Sequence, residues 1–212
     1  MNYVPVFIYR VCEWIMRFAF VNILWIFFSA MGLVAFGVFP STIAMFTVIR
    51  QWVKGEVDIK IFKTFWESYK KDWIKGNSIG VILVVIGYII YIESKIILVS
   101  TQPLVQFSKY PFLVLVLGFT FLVLYIFPTY VHYQISLVQV FKNSLLIALV
   151  SPLNNIVLAL SLVLLYYIFQ IVPPLAFFFG GSATAYVIMW ACYQGFKEVD
   201  KKREKLKSKK EE

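Results

Sequence analysis

Four polar or titratable residues stand within long apolar runs of this chain, and any chemistry would start from them: Glu93, His132, Asn154 and Asn155. A charge at mid-bilayer costs about 2.5–3.5 kcal/mol on insertion scales, so such a residue needs water, a partner or an interface. Glu93, followed by Lys95, either faces a cavity that takes a polar ligand or cation, or snorkels with Lys95 to the outer interface. His132, in Phe-Pro-Thr-Tyr-Val-His-Tyr-Gln, is the sole histidine, so no His/Cys ligand cluster exists. It reads as a hydrogen-bonded structural residue or as a member of a solute path. Asn154 and Asn155 follow Pro152 and point about 100° apart on a helix, so one can bond a neighbouring helix while the other faces a crevice. Asn22 is a candidate bonding partner for them. No HExxH, P-loop, Gly-flanked serine or pair of in-span aspartates occurs. The expectation is a non-enzymatic protein with no cofactor and no metal.

The elements that carry these residues follow from composition. The 212 residues are 61% hydrophobic and 15% charged, with mean hydropathy +0.80. Soluble domains average roughly 45–50% apolar and about 25% charged, so a soluble enzyme, a disordered chain and a disulfide-stapled module are excluded. An all-α, polytopic transmembrane bundle remains. Spans need roughly 20 apolar residues, and they read as Phe18–Phe36, Asn77–Val99, Pro111–Val131, Leu145–Ile171 and Pro174–Tyr193. Pro173-Pro174 makes the last tight turn. A short helix from an N-cap at Ser41 to about Val53 is the ambiguous element. If it crosses, there are six spans; if it re-enters, there are five and the N-terminus lies outside.

Charge sets the sides. Seven Lys or Arg residues lie between Arg50 and Lys75, and eight between Lys197 and Lys210; Lys95 and Lys109 stand opposite. Both rich segments are expected in the cytoplasm of a plasma-membrane protein, as is the C-terminus. Six spans are preferred because they leave two basic residues outside rather than four. The net charge of +9 is thereby read as topology, with a lipid bilayer and no nucleic acid as partner. Cys12 and Cys192 are expected as reduced thiols. Residues 1–196 read as one transmembrane domain with a cytoplasmic loop at 54–76, and 197–212 as a mixed-charge tail that extends the last helix.

The loop is strongly patterned. Ile59, Phe62, Phe65, Trp66, Tyr69 and Trp73 share one helical face, with Lys60, Lys63, Glu67, Lys70 and Lys71 opposite. Asp58 is the expected N-cap, and Glu67 the expected i,i+4 partner of Lys71. Such a helix lies at the headgroup level or packs beneath the bundle; the other reading is a partner-docking surface made by Phe62, Phe65, Trp66, Tyr69, Trp73, Lys63, Lys70 and Lys71.

Several motifs resemble the YesL family of bacterial integral membrane proteins, a domain of unknown function. They are Asn22-x-x-Trp25, Gly37-x-Phe39-Pro40-Ser41-Thr42-x-Ala44-Met45-Phe46, Arg50-x-Trp52-x-x-Gly55-Glu56, and Phe62-Lys63-x-Phe65-Trp66-x-x-Tyr69-Lys70 with Asn77-x-x-Gly80. The resemblance covers about Trp14 to Phe196. It implies a setting beside sugar-uptake ABC transporters and polysaccharide degradation in Gram-positive bacteria, and no catalytic residues. Two functions stay open. One is an accessory or regulatory subunit of carbohydrate uptake, partnered by an ABC permease or a membrane sensor. The other is a small homo-oligomeric transporter or channel with Glu93, Asn154, Asn155 and His132 along its path.

Overall fold

The computed structural model describes residues 3–133 and 135–211, with side chains over 7–103, 105–133 and 135–200. Among them it is all helical: α1 Tyr3–Met31, α2 Val38–Lys54, α3 Ile61–Lys71, α4 Trp73–Val99, α5 Pro103–Phe107, α6 Lys109–Tyr133, α7 Leu137–Val150, α8 Pro152–Ile171 and α9 Pro173–Glu211. Five stretches are long and apolar enough to cross a membrane: Phe7–Met31, Trp73–Val99, Val105–Tyr133, Pro152–Ile171 and Pro173–Asp200. Lengths and compositions of this kind belong to a multi-pass membrane protein.

The short helix α2 is the centre of the bundle. Its 17 residues span about 25 Å at 1.5 Å each, and it packs on α1, α3, α4, α6 and α9. Ile43, Ala44, Val48 and Ile49 have no exposed surface. A helix with apolar residues on most of its circumference belongs in a core. It folds back antiparallel on α1: Trp14 and Phe18 set their rings on Trp52 at one end, and Trp25 Nε1 donates to Thr42 Oγ1 at 3.0 Å near the other.

The turn between them is built for closeness. A Cβ on Gly32 would collide with Gly37 Cα, and one on Gly37 would collide with the Ser29 carbonyl oxygen. Leu33 and Val34 take φ of 57° and 60°, a left-handed conformation unusual for a β-branched residue. Because this turn ends at Gly37, α2 starts at Val38. Ser41 is therefore not its N-cap: it lies inside the first turn, with its Oγ buried and unpaired among the described residues.

Two other expectations are corrected locally. Asp58 does not cap α3, which is preceded by Lys60; its carboxylate stands 3.4 Å from Arg17 instead. Glu67 pairs with Lys63 at 3.8 Å rather than with Lys71.

The expected span Leu145–Ile171 is two helices. Ser151 leaves helical geometry (φ −123°, ψ 64°) and Pro152 opens α8, as a proline without an N–H readily does. The Pro173 turn, the end of α4 at Val99 and the limits of α6 follow expectation, but α4 begins at Trp73 rather than Asn77, taking that residue from the amphipathic helix, and α1 ends at Met31 rather than Phe36. The helix of α9 runs on through the charged tail to Glu211; the side chains of 201–212 lie outside the described residues. Helices α4 and α8 bury little within the chain: α8 buries only Leu158 among its described residues.

Candidate functional site

Helix α3 uses two faces. Phe65 and Tyr69 are buried against Phe28 of α1, with ring centroids 5.3 Å and 4.9 Å away, and Trp66 stacks beside them. The Tyr69 hydroxyl donates to the Phe28 carbonyl at 3.2 Å, and burial raises its pKa above the ordinary phenol value. The aromatic face is thus the bundle's inner packing surface. Of the docking residues expected from the sequence, Phe62, Lys63, Lys70 and Lys71 stay exposed, while Trp66 and Trp73 are half-buried.

The second face was not singled out by its periodicity. Thr64, Glu67, Ser68 and Lys71, spaced i, i+3, i+4 and i+7, form a polar stripe on α3. It faces Thr47, Arg50 and Gln51, a matching stripe on the largely apolar α2. With Asp72, Lys75 of α4, and Tyr130 and Val131 of α6, they enclose a cavity of about 380 Å³. That size falls in the range of small-molecule sites. A three-residue polar stripe on so apolar a helix is the sequence signal that could have found it.

Bonds brace one wall. The Tyr130 hydroxyl donates to Asp72 Oδ1 at 2.7 Å, Ser68 Oγ donates to Asp72 Oδ2 at 3.4 Å, and the Thr47 and Ser68 hydroxyls share a bond of 3.0 Å. The other wall is cationic. Arg50 makes one long bond from Nη2 to the His132 carbonyl, 3.5 Å, and its Nε is enclosed with no partner among the described residues. No acidic oxygen lies within 4 Å of Arg50, Lys71 or Lys75 among the described residues.

The chain matches the family model "Protein of unknown function, DUF624" over residues 18–94. It is 34% identical over 203 residues to YesL of Bacillus subtilis, covering 93% of each chain. It is 35% identical over 193 residues to YteU of the same organism, covering 90% of this chain and 86% of that one. This chain is a member of the YesL family. No solved structure matches it. The family segment supplies most of the cavity, from Thr47 to Lys75, and Tyr130 and Val131 of α6 with Ile135 just beyond it supply the rest.

The four polar residues singled out from the sequence do not share this cavity. Asn155 is a clamp: its Oδ1 accepts from the Tyr125 hydroxyl at 2.6 Å, and its Nδ2 donates to the Ala148 carbonyl at 2.7 Å. It thereby ties the α7–α8 break to α6. Asn154 has its Nδ2 enclosed without a partner among the described residues. The ring of His132 stacks on Phe196 with centroids 4.4 Å apart. Glu93 is exposed at the edge of an apolar lateral groove lined by Ile86, Ile90, Leu115 and Phe119.

Asn22 does not reach Asn154 or Asn155. Its amide is inserted into α9: Nδ2 donates to the Phe177 carbonyl at 2.8 Å, and Oδ1 accepts from the amides of Gly181 and Ser182 at 3.0 and 3.1 Å. Phe177 and Gly181 are an i and i+4 pair of one helical turn, so the side chain engages the acceptor and the donor of the same rung.

Asn155→Ala should therefore lower stability by about 1–3 kcal/mol, the cost of leaving buried partners unsatisfied. Denaturation of the detergent-solubilised protein would measure this, and a change within error would mean that Tyr125 and Ala148 find other partners.

Proposed function

We propose that this YesL-family chain is a non-enzymatic accessory or regulatory subunit of a carbohydrate-uptake system in the plasma membrane, with Arg50–Lys75 and the C-terminus on the cytoplasmic side. The observation that carries this reading is what the polar residues of the apolar helices are used for. Asn22 and Asn155 are occupied in helix-to-helix bonds, His132 in ring stacking, and Glu93 stands at a lateral apolar groove. A solute path through one chain would need these groups free and facing a common space. The family resemblance supports the carbohydrate setting, and the positive-inside asymmetry supports the orientation.

Docking falls to what α3 leaves outside. Phe62 is 54% exposed, Lys63 lies beside it, and Lys70 covers the Trp66 ring at 4.9 Å. The test is cross-linking and co-purification of the tagged chain from native membranes during growth on a plant polysaccharide. An ABC permease or membrane sensor should be enriched in stoichiometric amount. The double variant Lys63→Glu/Lys70→Glu should reduce that recovery several-fold while membrane insertion is unchanged, because rim charges govern encounter more than folding. Recovery of a homo-oligomer alone, with solute flux in liposomes that Glu93→Gln abolishes, would replace this reading with an oligomeric transporter.

A further inference from the structure

The cavity between α2, α3 and α6 has no part in the docking surface, and its chemistry points to a ligand. We propose that it binds a phosphorylated polyol, with the phosphoryl oxygens held by Arg50, Lys71 and Lys75 and the hydroxyl groups received by Asp72 and Gln51. Two observations lead there. Arg50 extends from the most buried helix of the protein, yet its Nε is enclosed and bonds nothing among the described residues. The guanidinium lines the cavity, and its one long bond, from Nη2 to the His132 carbonyl at 3.5 Å, leaves Nη donors for an anion in that space. Lys71 and Lys75 line the same space without an acid within 4 Å among the described residues.

The second observation is the opposite wall. Asp72 is fixed by the hydroxyls of Tyr130 and Ser68. Those two bonds leave lone pairs on its oxygens, since a carboxylate has about four acceptor sites. An anion without a donor, such as sulfate, would gain nothing from a held carboxylate and would be repelled by it, and inorganic phosphate has its donors on the same group as its charge. A ligand with an oxyanion at one end and hydroxyl donors at the other satisfies both walls. Arginine is suited to the oxyanion because its planar fork binds two phosphate oxygens at once. The cavity of about 380 Å³ accommodates a group of a few carbons with its phosphate. Two sources offer this chemistry: a soluble sugar or glycerol phosphate, and the headgroup of phosphatidylglycerol.

The test uses the full chain in nanodiscs of phosphatidylcholine alone. One arm titrates glycerol 3-phosphate and glucose 6-phosphate, with inorganic phosphate as control, and reads the thermal midpoint and the affinity. The other arm exchanges the lipid for phosphatidylglycerol and reads retained lipid by native mass spectrometry. Binding in either arm, weakened at least tenfold by Arg50→Gln and by Lys71→Gln but not by Lys70→Gln, is the expected result. The arm that responds identifies the source. Lys70 is the control because it lies on α3 outside the cavity and covers the Trp66 ring instead. If Arg50→Gln does not fold, Lys71→Gln and Lys75→Gln carry the test, since both change side chains at the cavity's rim. The proposal is overturned if neither arm shows binding, if inorganic phosphate binds as well as the esters, or if Lys70→Gln weakens binding as much as Lys71→Gln. None of these readouts depends on a partner protein, so the accessory-subunit reading stands or falls separately.

Discussion

Asn22→Leu should destabilise the bundle by about 2–4 kcal/mol, one of the two largest effects we expect from a single substitution. The side chain is 1% exposed and makes three bonds to α9, to the Phe177 carbonyl and to the amides of Gly181 and Ser182. A net hydrogen bond contributes about 0.5–1.5 kcal/mol, and interhelical bonds in membrane proteins average about 0.6. Three lost together, with backbone groups left unpaired in an apolar surround, give the upper part of that range. Asn22→Asp keeps the acceptor and loses the donor, so it should cost less unless the added charge dominates. Gly181 is part of the same contact, since a Cβ there would stand 2.8 Å from Asn22 Oδ1. Asn22→Leu and Gly181→Ala should therefore be strongly non-additive. Unfolding followed by tryptophan fluorescence, with Trp25 beside Gly181, measures all three. A loss below about 0.5 kcal/mol for Asn22→Leu would mean that α9 closes its own ladder and that the insertion contributes nothing.

Phe28→Ala should cost about 3–5 kcal/mol, the usual penalty for emptying a buried aromatic site. Phe28 is 3% exposed, and four side chains of α3 converge on it: Phe62, Phe65, Trp66 and Tyr69, with ring centroids 4.9 to 6.4 Å away. Helix α3 has only 11 residues, too few to be stable in water alone, so its order depends on this contact. The substitution should loosen α3 selectively. Trypsin reports it directly, because Lys63, Lys70 and Lys71 are exposed and would be cut quickly once the helix opens locally. Phe28→Leu, which refills most of the volume, should recover a large part of the protection. Equal cleavage of the wild type and Phe28→Ala would show that α3 is held by its polar face and the cavity bonds instead.

The two substitutions concern different parts of one design. Asn22 joins the first helix to the last, and Phe28, two turns further along, joins it to the amphipathic segment. Both lie within the matched family segment, and α2 runs between the elements they connect.

The sequence by itself determined the helical class, the membrane character and some helix limits, those of α6 and the ends of α2 and α4 among them. These depend on runs of apolar residues and on Pro and Gly, whose effects are local. The amphipathy of α3 was equally legible, as was the YesL-family membership carried by the motifs from Asn22 to Gly80. The sequence also singled out Asn22 and Asn155 as polar residues needing partners, but it did not determine which partners. Asn22 bonds Phe177, 155 residues away, and no local pattern encodes a contact of that separation. Only the tertiary structure decided that α2, ambiguous by its length, is the buried axis, because burial depends on neighbours from five other helices. The same holds for the cavity. Thr47, Arg50 and Gln51 read as the end of an apolar helix, and Lys71 and Lys75 as topological charges. They acquire a common chemistry only when α3 folds back along α2, with its aromatic face on Phe28, and turns its polar stripe inward.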